Sequence, residues 1–212
     1  MLKLIECPRD AMQGWKTFIP TEQKITYLNS LLQVGFHTLD FGSFVSPKAI
    51  PQMADTKEVL DGLNLSSTTT KLLAIVANTR GAEEALQYDI IDFLGFPLSL
   101  SETFQQRNTN ASIKDALVRV DEIQELCKRK KRRLVVYLSM GFGNPYGDTY
   151  SEEIVFEYAD LLMQKGVQII SLADTVGVAT AEGVQKITAH LVQSLPQVEI
   201  GVHLHSTAFN WK

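Results

Sequence analysis

The stretch Arg133–Gly147, RLVVYLSMGFGNPYG, separates two candidate folds. Its first half is largely apolar without alternation, the pattern of a strand buried on both faces in a parallel sheet. Its second half is glycine-rich, and an open doubly wound sheet carries its dinucleotide fingerprint at such a turn. Gly141, Gly143 and Gly147 miss that fingerprint, because the second and third glycines stand one residue too far apart. Nor does the run end in the Lys-Ser/Thr pair of a phosphate-binding loop. A closed (β/α) barrel, whose strands need no glycine motif, accommodates the stretch better.

Working outward, similar runs recur: KLIEC, FHTLDF, KLLAIVAN, IIDFLGF, QIISLAD and EIGVHLHS. Helical patterns with recognisable ends lie between most of them. Thr21 opens one, with Ile25, Leu28 and Leu32 on one face and Gly35 as its stop. Ser112 and Asp115 form a capping-box pattern ahead of Ala116, Val120 and Ile123. Ser151 starts a stripe ending at Gly166, Thr180 starts another, and shorter helices follow Asp55 and Arg80. Alternation of this kind means parallel strands joined by right-handed crossovers. The expected fold is α/β: a (β/α)8 TIM-type barrel truncated after its seventh strand, with residues 1–212 as a single domain.

Bulk composition narrows the function classes. The 212 residues are 45% hydrophobic and 21% charged, with a formal net charge of −4. Mild acidity argues against a nucleic-acid binder, which needs a basic face. No apolar run approaches a membrane span, and MLKLIECPRD lacks a signal-peptide pattern. Cys7 and Cys127 give neither a disulfide framework nor metal-type spacing, so a reducing cytoplasm is the expected compartment. The basic run Lys128–Arg133 reads either as a helix end favoured by the dipole or as a polyanion-binding or localisation signal.

The polar residues fall where a barrel places its chemistry, at the carboxyl ends of the strands. Asp10 follows KLIEC, Asp40 lies late in FHTLDF, Asp174 ends QIISLAD, and His203 and His205 come late in the seventh run. Positions i and i+2 of a strand share a face, so both imidazoles point together. Two imidazoles with one carboxylate suit a divalent ion with open positions, and Asp10 is the favoured carboxylate. The alternative is a pair of polar residues on an exposed strand face. Arg9 would bring a fixed positive charge able to neutralise an enolate oxygen, or else would form a surface salt bridge. The loop Ser43–Asp55 reads as a rigid excursion on the rim, where Lys48 either meets an anionic substrate or is solvated. SETFQQRNTNAS reads as a second rim loop, with Arg107 and Asn108 able to contact phosphates or amides. His37 and His190 read as strand-edge and helix-surface residues.

In order, PRDAMQG, SFVSPKAIPQMAD, SLADTVGVAT and VHLHST resemble hydroxymethylglutaryl-CoA lyases, from near Leu4 to Thr207. The second of these is specific to the lyases. Arg-Asp and HxH are shared with isopropylmalate and homocitrate synthases. The resemblance implies cleavage of 3-hydroxy-3-methylglutaryl-CoA, or a close relative, to acetyl-CoA and acetoacetate. It implies magnesium or manganese held by Asp10, His203 and His205, with Arg9 on the enolate oxygen and Asp174 relaying the alcohol proton. Gln13 matches another rim residue of the family. An acyl-CoA is the implied partner, with room for a homo-oligomer and none for nucleic acid or a membrane.

Two departures accompany the resemblance. Asp40 stands where relatives carry Glu, one methylene longer. Relatives also continue to an eighth strand bearing a glycine-rich cysteine loop and an asparagine metal ligand, whereas this sequence ends at Lys212. Neither cysteine is placed to substitute. The sequence is thus expected to be a piece of a longer enzyme, or to be closed by another chain or a rearranged edge. The competing functional readings are a Claisen-condensing enzyme and a catalytically inactive acyl-CoA- or metal-binding barrel.

Overall fold

A computed structural model describes residues 2–206; Thr207, where the resemblance ends, lies outside them. The elements alternate as the apolar runs predict. They are β1 (Ile5–Glu6), α1 (Pro8–Gln13), α2 (Thr21–Leu32), β2 (Thr38–Ser43), a 3₁₀ helix (Pro51–Met53) and α3 (Thr56–Asp61). Next come β3 (Lys71–Ile75), α4 (Thr79–Ala85), β4 (Ile91–Ser99), α5 (Glu102–Thr109) and α6 (Ile113–Arg129). The last are β5 (Arg133–Ser139), α7 (Glu152–Gln164), β6 (Ile169–Ala173), α8 (Ala181–Ser194) and β7 (Glu199–His203). The sheet runs β1 to β7 in sequence order, the order of a (β/α) barrel through its seventh strand. The β1–β2, β2–β3, β3–β4, β5–β6 and β6–β7 pairings are parallel.

Helix ends follow from local chemistry. Ser112 and Asp115 close the anticipated box: the Asp115 N–H donates to Ser112 Oγ at 3.0 Å, and the Ser112 N–H to Asp115 Oδ2 at 3.2 Å. Ser151 and Thr180 cap α7 and α8 by accepting from the N–H groups of Ile154 and Gly183. Gly166, at φ +82°, ends α7 in a Schellman turn, with Gly166 N–H on Met163 O and Val167 N–H on Leu162 O.

Two compact units divide the chain, Met1–Gly95 with Arg129–Arg132, and Phe96–Lys128 with Arg133–Lys212. In the first, Leu28, Leu32, Leu39, Phe41, Leu60, Leu72 and Leu73 are at most 1% exposed. In the second, Leu98, Val120, Ile123, Val136, Leu138, Leu162, Ile170 and Leu172 are wholly buried. Each such side chain contributes about 1.5–3 kcal/mol by leaving water.

Three local readings change. The buried stripe of α2 runs through Lys24, Leu28 and Leu32, and Ile25 is only half-buried. β1 is two residues long, so Arg9 and Asp10 sit on a helix whose start Pro8 favours with its fixed φ. The SETFQQRNT run is the helix α5, because Ser101 Oγ accepts from the Phe104 N–H at 3.1 Å and caps it. Among the described residues no helix is long and apolar enough to cross a membrane.

Candidate active site

In the first unit, four of the expected site residues meet. Arg9 is 8% exposed and Asp40 is fully buried. The Arg9 Nε donates to Asp40 Oδ1 and Oδ2 at 3.2 and 3.0 Å, and Nη2 donates to Oδ2 at 2.6 Å. This forked pairing fixes the guanidinium plane. The Arg9 Nη1 turns the other way, to Asp10 Oδ1 at 3.1 Å and Gln13 Oε1 at 2.9 Å. Gln13 closes the ring by donating to Asp10 Oδ1 at 2.8 Å. One helical turn separates Arg9 from Gln13, so the geometry of α1 itself brings them together. The Asp10 side chain remains 40% exposed.

Asp40 reaches one methylene less far than the Glu that relatives carry at its place. The structure gives that reach a partner, since Asp40 holds the arginine. Burial, with Asp40 as the next cause, pushes the nearby Cys7 thiol up to about 12. Burial alone pushes Cys127 to about 12. Neither is a thiolate at neutral pH. Lys48 stands exposed in the loop after β2.

In the second unit, Asp174 follows β6 and is 4% exposed. Its Oδ1 accepts from the N–H groups of Val178 and Ala179 at 2.8 and 3.2 Å, so it shapes the turn after the strand. Its own N–H donates to His203 O at 2.9 Å, which joins it to the end of β7. His203 is half-buried with its ring edge-on to Tyr137, centroids 6.0 Å apart. His205 lies just past the strand and is exposed. His190 stacks on Phe156 at 3.8 Å, and in the first unit His37 lies against Thr38 and Phe93, so neither joins a site.

Arg107 and Asn108 are exposed on α5, with the Arg107 guanidinium 4.9 Å from the centre of the Tyr146 ring. Sequence reasoning missed what ties this helix down. Asp148, just past the Gly141–Gly147 run, accepts from Ser101 Oγ at 2.5 Å, Thr103 N–H at 2.9 Å and Thr103 Oγ1 at 2.9 Å. Those bonds, the Ser101 hydroxyl first, hold its carboxyl below the ordinary carboxylate value. The unfolded chain therefore takes up this proton more readily than the folded one. The stabilisation is complete above the unfolded value, about pH 4, and is lost as pH falls through the lower folded value. Asp148→Asn is expected to flatten the acid limb of a melting-temperature profile; an unchanged limb would show that the carboxylate contributes nothing there.

The three expected metal donors offer imidazole nitrogen and carboxylate oxygen without sulfur, a set that suits a divalent ion. Among the described residues, no three His, Cys, Asp or Glu side chains are gathered into a ready-made metal cluster. Parallel strands alternating with helices, with Asp40 inside β2 and Asp174 just past the carboxyl end of β6, define the class: an α/β protein of the (β/α)-barrel kind.

Within that class the chain belongs to the HMGL-like family, whose model matches residues 3–208. It is 34% identical over 207 residues to the 3-hydroxy-3-isohexenylglutaryl-CoA/hydroxymethylglutaryl-CoA lyase of Pseudomonas aeruginosa, covering 97% of this chain and 68% of that one. It is 33% identical over 200 residues to a hydroxymethylglutaryl-CoA lyase of Bacillus subtilis, covering 94% of this chain and 66% of that one. The chain thus spans about two thirds of these relatives' length. Among solved structures, an HMG-CoA lyase from Acinetobacter baumannii in complex with coenzyme A and 3-methylmalate aligns with a TM-score of 0.89 at 31% identity. That alignment covers 98% of this chain and 68% of that one.

Proposed function

We propose that this chain carries the machinery of a carbon–carbon lyase acting on 3-hydroxy-3-methylglutaryl-CoA or a close 3-hydroxyacyl-CoA relative. The carrying observation is the Arg9 guanidinium, locked by buried Asp40 and turned toward Asp10 and Gln13. Enzymes of the family in general depend on a divalent metal. A bound ion, magnesium or manganese, would be held by Asp10, His203 and His205 and would supply Lewis acidity to the substrate's tertiary alcohol and carboxylate.

The chain's own side chains do the rest. Asp174 receives the alcohol proton at its carboxylate. The alcohol oxygen becomes the ketone of acetoacetate as the carbon–carbon bond breaks. The electrons of that bond pass to the thioester as an enolate, whose oxygen accepts from the Arg9 guanidinium. Protonation at carbon, which balances the proton taken up by Asp174, then releases acetyl-CoA. Gln13 and Asp40 keep Asp10 and Arg9 in register. Lys48 is the proposed contact for the substrate's negative charge, and Arg107 and Asn108 for phosphate or amide groups of coenzyme A. Two cysteines without the spacing of a disulfide framework fit a reducing compartment, and we assign the cytoplasm.

Incubation of the chain with 3-hydroxy-3-methylglutaryl-CoA and manganese tests this reading. Acetyl-CoA and acetoacetate in equal amounts, followed by mass spectrometry, are the expected products. Bond formation from acetyl-CoA and a 2-oxo acid instead would replace the lyase with a condensing enzyme. Acyl-CoA binding without any turnover would replace it with a binding protein.

A further inference from the structure

Gln52, in the 3₁₀ helix, is 4% exposed, and its side chain has three backbone partners within one five-residue segment. Its Oε1 accepts from the Ile19 N–H at 3.1 Å, and its Nε2 donates to Trp15 O at 2.8 Å and Thr17 O at 2.5 Å. Lys24, 2% exposed, donates to the Gln52 carbonyl and to Asp55 Oδ1 at 2.6 Å. Its ammonium lies 4.2 Å from the centre of the Phe18 ring. Thr21 Oγ1 completes the group by donating to Asp55 Oδ2 at 2.7 Å.

A buried lysine–aspartate pair is a poor way to gain stability, because desolvation offsets the attraction and apolar side chains of equal volume do as well. What such a group supplies is a single geometry. The geometry here has an obvious recipient. The Trp15 N–H still donates to Met12 O of α1, so the segment held by Gln52 begins where α1 ends, with no slack between them. α1 also packs against the 3₁₀ helix.

We propose that Lys24, Gln52 and Asp55 form a lock that fixes Trp15–Ile19 and thereby sets the orientation of α1, making them positioning residues for Arg9, Asp10 and Gln13. Only the catalytic consequence rests on the lyase reading; the mechanical one does not.

Amide hydrogen exchange on the 212-residue chain tests the lock, comparing the parent with Gln52→Leu. Removing the three bonds is expected to speed exchange at least about tenfold in Trp15–Ile19 and in α1, while β5 and β6 keep the parent's rates. A rise confined to Trp15–Ile19, with α1 as protected as before, would overturn the proposal. So would a rise of equal factor in β5 and β6, which marks general destabilisation. Gln52→Glu keeps the acceptor for Ile19 but sets a carboxylate oxygen against the Trp15 and Thr17 carbonyls, so it should show at least as large a rise. Gln52→Asn, uncharged and one methylene shorter, keeps the amide and should show a smaller rise with the same distribution. It decides the question if the leucine variant does not fold. Absence of turnover would count against the lyase and leave this exchange pattern intact. With turnover present, Gln52→Glu should lower kcat with little change in KM, the mark of displaced charge; a change in KM alone would overturn the positioning role.

Discussion

Arg9→Met is expected to destabilise the chain by about 3–5 kcal/mol, the usual consequence of leaving a buried charge without its partner. The charge is Asp40, fully buried in β2 and met by three guanidinium hydrogen bonds. Methionine fills much of the same volume but offers no donor, so the carboxylate must either stay charged in a low-dielectric setting or take up a proton. Adding Asp40→Leu to Arg9→Met removes the buried charge that has lost its arginine, and the double variant should recover most of the lost stability. Urea unfolding of the parent, Arg9→Met, Asp40→Leu and the double variant gives the coupling energy directly. The same cycle separates folding from chemistry. Both variants lacking Arg9 should fail to cleave 3-hydroxy-3-methylglutaryl-CoA, although the double variant folds, because neither can neutralise the enolate oxygen. A single variant within about 1 kcal/mol of the parent would place this pair with exposed ion pairs, which contribute little. It would also remove the argument that Asp40 is kept to aim the arginine.

The parts of this molecule legible in its sequence are those governed by neighbours along the chain. Strands announced themselves as apolar runs, and the caps at Ser112, Ser151 and Thr180 are contacts between residues three apart, so a short window contains the whole interaction. The shared face of His203 and His205 is of the same kind, a consequence of strand period, but it ends with β7, and His205 lies beyond it. Asp40 is visible in the sequence as a rim carboxylate, yet its partner is 31 residues away and sits on a helix that follows a first strand of only two residues. Lys24 carried a signal that was passed over: it lies one turn before Leu28 and two before Leu32, on the buried stripe. A lysine there has to find an anion or change its ionisation, and Asp55 is that anion. The helix α5 reads as a loop in the sequence because Phe104 is its one apolar residue, and the bonds that seat it come from Asp148, more than forty residues on.

Asp174→Asn is expected to lower turnover of 3-hydroxy-3-methylglutaryl-CoA by about 10²–10⁴, the usual range for a lost general acid–base group, with the melting midpoint nearly unchanged. The two halves of that expectation come from different atoms. Asp174 Oδ1 is occupied as an acceptor for the N–H groups of Val178 and Ala179, and the asparagine amide oxygen can accept both. The turn after β6 therefore survives the substitution. The other oxygen receives no hydrogen bond among the described residues, so it is the atom left to take a proton, and the amide nitrogen that replaces it cannot. Asp174→Ala removes both functions at once. It strands the two backbone N–H groups and should cost about 1–3 kcal/mol in addition to the lost turnover. Thermal melts and single-turnover rates of the two variants separate the roles. An asparagine variant as fast as the parent would take Asp174 out of the chemistry and leave it as the anchor of its turn. An alanine variant as stable as the parent would show that water satisfies those N–H groups, and that the buried carboxylate is kept for the proton alone.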